Sequence, residues 1–372
     1  MRNDPKIAIF VSFSGKGGVE RMMVNLSEGL VALGCHVDLV LVKARSANLN
    51  ALPSTVNVVK LGTSHTMSSL PALVGYLRRK QPDALLAAKD RANQVAILAK
   101  RLSGVSSRVV VRMGTTTSAA LAGRSRVRQW AWYLPMRFIY PLADAVIAIS
   151  QGVATDLAET TRLPLSHLRV IGNPVITPRI AELACEQICH SWFTNSEMPV
   201  ILGAGRLTRQ KDFPTLIKAF AKMRTERACR LVILGEGRDR NGLKALSARL
   251  GVKDSFDLPG FVNNPYAYMS RAALFVLSSA WEGFGNVLAE SMALGVPVVS
   301  TDCPSGPREI LAGGRYGPLV PVGDTDALAK AMLETLANPL DKALLKNAVS
   351  NYTVEMSSRR YLEVLLGRDA QN

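Results

Sequence analysis

"KIAIFVSFSGKGGVERMMVNLSEGLVALG" (6–34) decides how the fold is read. Lys6 to Phe13 is a short apolar run of strand length. Gly15, Gly17 and Gly18 interrupt it, and "VERMMVNLSEGLVAL" then carries a helical period that stops at Gly34. A strand with apolar residues on both faces, followed at once by a helix, is the unit of a parallel sheet covered by helices. The unit recurs. "HVDLVLV" (36–42), "DALLAA" (83–88), "RVVVRM" (108–113) and "DAVIAIS" (144–150) are further strands, each with a helical stretch behind it.

"VIGNPVITPRI" (170–180), with two prolines and no period, reads as a linker. The alternation then restarts with "PVILGAG" (199–205), "RLVILGEG" (230–237), "SFDLPGF" (255–261), "ALFVLSS" (273–279), "PVVSTD" (297–302) and "GPLVPVG" (317–323). The fold class is therefore α/β, with two Rossmann-like, doubly wound parallel-sheet domains joined near residue 174 and facing across a cleft. Ligands of such sheets bind outside the carboxyl ends of the strands. At 372 residues the chain is long for one hydrophobic core, which agrees with two domains.

No apolar run is long enough for a membrane span. The opening residues lack a long apolar region and a small-residue cleavage site, so a cytoplasmic chain is expected. Five cysteines at scattered spacing fit a reducing compartment. The net charge of +16 is unevenly spread. Residues 1–179 hold 23 Lys and Arg against 9 Asp and Glu, and the remainder holds 22 against 20. The first half therefore expects an anionic partner: lipid, acidic saccharide or nucleic acid.

The glycine loop of the first unit lets a ligand approach the backbone, and the helix N-terminus behind it favours an anion. No Lys-Ser/Thr pair follows the glycines, so the loop is not that of a nucleotide hydrolase. "GAGRLTRQKDF" (203–213) holds the same place in the second domain. Its Arg206 and Lys211 suit a diphosphate, the Arg as a fork and the Lys as a point charge. "EGFGNVLAE" (282–290) sets Glu282 where a strand ends and Glu290 two turns into the next helix. The turn between them bares backbone N–H groups. The two acids are too far apart along the helix to form an acid–base pair. One on a sugar and one on a ribose, with the diphosphate between them, describes a nucleotide sugar.

Several of these stretches occur together and in order: "GKGGVER", "NPV" (173–175), "GRLTRQKDF", "LGEG", "PGFVNN", "EGFGNVLAESMALGVPVVSTDCPSGPREI" and "LVPVGD". They closely resemble the GT-B glycosyltransferases of family 4, a retaining group, over nearly the whole length. The resemblance implies that Glu282 contacts the donor sugar and Glu290 the ribose, with Arg206 and Lys211 on the diphosphate. It sets Phe284, Gly285 and Asn286 against sugar and phosphate, Val262 and Asn263 near the base, and Gly17 and Gly18 in the donor loop. It also implies that the last helix returns to the first domain. The domains are then 1–174 plus about 354–372 on the acceptor side, and 175–353 on the nucleotide-sugar side. "CPSGPREI" looks like the subset that builds bacterial surface polysaccharides and lipid-linked glycans.

The chain departs from the family at one place. Many relatives carry a His after the strand that ends in Arg; here that position is Gly114. Arg112, Thr115 and Thr116 are the expected acceptor-side contacts instead. A front-face mechanism needs no such His, because the donor's own leaving phosphate deprotonates the acceptor hydroxyl, leaving the protein to position and to stabilise charge.

"DTD" (324–326) matches the Asp-x-Asp of metal-dependent transferases but opens a helix, where Asp324 is a favoured N-cap. "CEQICH" (185–190) has no matching second cluster and reads as helix-facing residues. No metal and no cofactor are expected. "GRSRVRQWAWYLPMRFIY" (123–140) interleaves arginines with rings. Arg124, Arg126, Arg128, Trp130 and Trp132 suit an anionic membrane surface or a lipid-linked acceptor.

The resulting expectation is a metal-independent, retaining hexosyltransferase, cytoplasmic and peripheral on the inner face of the membrane. It would move an N-acetylhexosamine or hexose from a UDP-sugar to a saccharide or lipid-linked saccharide in cell-surface glycan synthesis. A GDP-sugar-dependent transferase of the same fold is the nearest alternative. A non-catalytic nucleic-acid or anion binder would explain the charge, but acids at the ligand edge repel phosphate, so no nucleic acid is expected.

Overall fold

The computed structural model describes residues 4–13, 18–44, 49, 52–194 and 198–368. The chain divides into two compact units, Met1–Val175 with Tyr352–Asn372, and Ile176–Asn351.

Among the described residues the first unit holds seven strands: β1 (Lys6–Phe13), β2 (His36–Ala44), β3 (Asn57–Lys60), β4 (Ala84–Ala88), β5 (Arg108–Met113), β6 (Ala145–Ala148) and β7 (Leu168–Val170). Their order is β3-β2-β1-β4-β5-β6-β7, all parallel. β1 is central, with Ile7 opposite Val37 on one side and Ala84 on the other. Its residues Ile7–Val11 are buried, as an unbroken apolar run in a two-sided sheet must be. The helix Gly18–Ala32 lies behind it and packs on the helix Val354–Leu365. That last helix belongs to this unit: Tyr361, Val364 and Leu365 share a core with Ile7, Ile9 and Leu26.

The second unit holds β8 (Val200–Ala204), β9 (Arg230–Leu234), β10 (Phe256–Gly260), β11 (Leu274–Leu277), β12 (Val298–Thr301) and β13 (Leu319–Val320), in the parallel order β10-β9-β8-β11-β12-β13. Its core is built from Ile201, Phe213, Phe220, Ile233 and Leu274. The chain order reverses between β1 and β4 in the first sheet and between β8 and β11 in the second. A doubly wound sheet opens a ligand crevice at such a reversal.

Two strands were not read from the sequence. β3 is a mostly exposed edge strand, and β7 has three residues and lies where a linker was expected. The residues after β7 are also less linker-like than expected, since Ile171 and Asn173 are buried. "CEQICH" is not helical: the helix Ile180–Ala184 ends before it. Asp324 does cap the helix Thr325–Ala337, its Oδ1 accepting from the Ala327 N–H at 2.9 Å.

Candidate active site

In the second unit, β8 and β11 are neighbours at the chain reversal. The loop after β8 carries Arg206 to Lys211, and the loop after β11 carries Ser278 to Gly285. Hydrogen bonds tie the two loops: the Ala280 N–H donates to the Gln210 carbonyl at 2.8 Å, and the Ser278 hydroxyl to the Lys211 carbonyl at 2.8 Å. Lys211 Nζ then lies 2.5 Å from Glu282 Oε1, with both side chains largely buried. The Ser279 hydroxyl donates to the same oxygen at 2.7 Å, and Thr301 Oγ1 holds the Ser279 carbonyl at 2.6 Å. The carboxylate expected on the donor sugar is thus fixed by a cation and a hydroxyl. Serines carry no spacing signal, so Ser278 and Ser279 escaped the sequence reading. Arg206 is exposed and makes no ion pair among the described residues.

Glu282 leads into the turn that starts the helix Asn286–Ala293. Gly285 sits at its N-cap with φ +100°, a conformation that costs glycine nothing. Glu290 is therefore just over one turn into the helix, not two. It is fully buried, and the Tyr266 hydroxyl lies 3.5 Å from its Oε1. Phe284 is buried, while Asn286 and Val262 are half-buried and Asn263 is exposed. The "CPSGP" loop closes onto this turn. A Cβ on Gly306 would stand 1.8 Å from the Phe284 carbonyl oxygen, so only glycine permits the approach. Cys303, on the same loop, is buried; burial and the nearby Glu282 charge push its thiol up to about 12.

The first unit repeats the device at its own reversal. Lys89, after β4, donates to the Ser12 carbonyl at 2.6 Å and lies 3.6 Å from Glu20 Oε1 on the helix behind β1. Glu20 is buried. Neither residue was singled out from the sequence, because the pair is formed across the sheet. Gly18 is the first residue of that helix and is exposed, whereas Gly17 lies outside the described residues.

The acceptor-side expectation is corrected at Arg112. Its side chain is fully buried: Nε donates to the Tyr361 hydroxyl at 3.2 Å, and Nη2 to Asn173 Oδ1 at 2.7 Å. Burial lowers its pKa, and the Tyr361 hydroxyl offsets part of that. Gly114 stands against the same guanidinium, since a Cβ there would lie 2.9 Å from Arg112 Nη1. A histidine at 114 and this Arg112 rotamer therefore exclude each other. Thr115 is half-buried, and Thr116 is buried at the entry to the helix Thr117–Leu121, whose first N–H donates to Asp156 at 2.7 Å. Arg126, Arg128, Trp130 and Trp132 lie on the helix Arg126–Ile139 and Arg124 just before it, all exposed. Among the described residues no group of three His, Cys, Asp or Glu is placed to hold a metal ion.

Two family models span most of the chain: "Glycosyltransferase Family 4" matches residues 16–179 and "Glycosyl transferases group 1" matches 186–352. The chain belongs to these glycosyltransferases. A Campylobacter jejuni N-acetylgalactosamine-N,N'-diacetylbacillosaminyl-diphospho-undecaprenol 4-alpha-N-acetylgalactosaminyltransferase is 29% identical, over 98% of both chains. The Rhizobium meliloti lipopolysaccharide core biosynthesis glycosyltransferase LpsE is 27% identical over 96% of this chain and 98% of that one. Among solved structures, Anabaena Alr3699/HepE in complex with UDP-glucose superposes with a TM-score of 0.78 at 19% identity, covering 97% of this chain and 99% of that one. The fold is GT-B in both sheets. The chain is therefore a transferase.

Proposed function

We propose that the protein is a metal-independent, retaining hexosyltransferase of surface-glycan synthesis. It takes an N-acetylhexosamine or hexose from a UDP-sugar and passes it to a saccharide or lipid-linked saccharide. The observation that carries this reading is the Lys211–Glu282–Ser279 cluster at the chain reversal, with the Arg206 guanidinium exposed on the same loop.

The chemistry follows from charge. Breaking a sugar–diphosphate bond builds negative charge on the leaving oxygens. Arg206 and Lys211 neutralise that charge, and fixed donors in a dry site stabilise it without reorganising. Glu282, held on Oε1, orients the sugar through its hydroxyls. Glu290, beneath the helix start, faces the ribose side. The leaving phosphate takes the proton of the attacking hydroxyl on the same face, so no side-chain base is required where Gly114 stands. The two named relatives act on a diphospho-undecaprenol-linked saccharide and in lipopolysaccharide core synthesis, which supports a surface-glycan acceptor. The HepE complex supports a UDP-linked donor. We place the reaction on the cytoplasmic side of the membrane.

Calorimetric titration with UDP and GDP in chelator tests the reading. Saturable UDP binding, weakened at least tenfold by Lys211→Ala or Arg206→Ala, is expected, because a charge-assisted hydrogen bond contributes about 1.5–3 kcal/mol. GDP binding in its place moves the donor to a GDP-sugar. Binding that the two substitutions leave unchanged removes the clamp, and a metal requirement for transfer removes the metal-free mechanism.

A further inference from the structure

The helix Arg126–Ile139 has an unusual distribution of apolar surface. It packs on the helices Asp90–Ser103 and Gln151–Thr161 of its own unit, yet Met136 is its only buried residue. Val127, Trp130, Leu134 and Phe138 recur at intervals of three and four, so they lie on one face. Val127 is 75% exposed, Trp130 62% and Phe138 67%. Met136 falls on the opposite face. The helix therefore turns an apolar stripe outward, the reverse of an ordinary surface helix. Trp132 lies off the stripe, on the flank toward Met136.

The rim of the stripe is basic. Arg126 and Arg137 fall on one side by helical spacing and Arg128 on the other, all exposed. None of the three is in a salt bridge among the described residues. From Arg91 to Ala143 the sequence contains nine Lys and Arg and no Asp or Glu. A fourteen-residue helix is about 21 Å long and too short to cross a bilayer, but of the right length to lie in its surface.

We propose that this face docks the protein flat on an anionic lipid leaflet. Val127, Trp130 and Phe138 enter the headgroup–acyl boundary, with the half-buried Leu134 between them, and the arginines pair with lipid phosphates. An apolar stripe with a wholly cationic rim is the pattern for such a surface. A protein partner would need acids to match the rim, whereas a second copy of this chain would bring like charges together. The inference goes beyond the transfer reaction and is read without donor or acceptor.

Sedimentation with vesicles of phosphatidylglycerol and phosphatidylcholine, against phosphatidylcholine alone, tests it. Binding only to the anionic vesicles, with a blue shift of tryptophan emission, is expected. Raising salt toward 1 M lowers it steeply. Trp130→Ser with Phe138→Ser, and separately Arg126→Ser with Arg128→Ser and Arg137→Ser, each weaken binding. Loss of an arginine lowers it roughly fivefold. Titration with UDP should be unchanged in all these variants, which separates a failure of docking from a failure of the donor site. Equal vesicle binding by wild type and variants overturns the proposal. So does a wild type that ignores lipid but forms a dimer abolished by Trp130→Glu.

Discussion

Glu282 is buried and held by a charge and a hydroxyl, which sets what its replacement does. Removing one partner of a buried pair leaves the other uncompensated, at a cost of about 3–5 kcal/mol. Glu282→Ala should therefore lower the denaturation midpoint as well as abolish transfer. Glu282→Ala with Lys211→Ala should regain most of that stability and stay inactive, and chemical denaturation of the three variants checks it. Glu282→Gln keeps the volume and an acceptor oxygen for Lys211 but not the charge, so it should lose less stability than Glu282→Ala while still lowering transfer. The cysteines give a second check at this scale. Cys185 and Cys189 are exposed, whereas Cys35, Cys229 and Cys303 are buried. Cys303 keeps its proton until about pH 12, so it offers no thiolate under ordinary conditions. Ellman's reagent should read two thiols in the native protein and five after unfolding. Both acids of the site were legible from the sequence, because acids beside glycines at a strand end are conspicuous. Ser279, Lys89 and the burial of Arg112 were not, since each depends on what an adjacent strand brings close.

At the scale of elements, the loops that follow the strands carry the site, and their glycines fix how tightly they stack. Gly306 has φ +29° and stands against the Phe284 backbone. Gly306→Ala should displace the "CPSGP" loop and reduce both stability and transfer, to be read by thermal melting and a donor-hydrolysis assay. Asp324 caps its helix, its carboxylate accepting from the Ala327 N–H. Asp324→Ala should cost about 1 kcal/mol of stability and leave transfer in chelator intact. Eleven of the thirteen strands stood in the sequence as apolar runs between turn residues. The two that did not are β3, an edge strand with polar and exposed positions, and β7, which is too short to show a period. Burial on both faces writes a strand into the sequence, and an edge position does not.

For the whole molecule, the charge is uneven: residues 1–179 hold 23 Lys and Arg against 9 Asp and Glu, and the remainder holds 22 against 20. Arg112 shows how the first unit is closed. Its guanidinium joins β5, the residues before Pro174 and the returning helix through Asn173 and Tyr361. The Val175 N–H meets the Tyr352 carbonyl at 3.1 Å where the two chain crossings pass. Arg112→Met removes both hydrogen bonds and should destabilise by about 1–3 kcal/mol. Tyr361→Phe, which removes one, should cost less, and urea denaturation separates the two. The returning helix was legible only through the family resemblance, because nothing in its own period says which core it joins.

The return has a consequence for the order of events at the ribosome. The second unit is one uninterrupted stretch, Ile176–Asn351, and has all its strands once residue 351 has emerged. The strands of the first unit precede it, yet the core under β1 stays open until Tyr361, Val364 and Leu365 arrive. The part made first is thus finished last. While the second unit is made, the nascent chain carries an apolar face on the sheet before it, waiting for the returning helix to cover it.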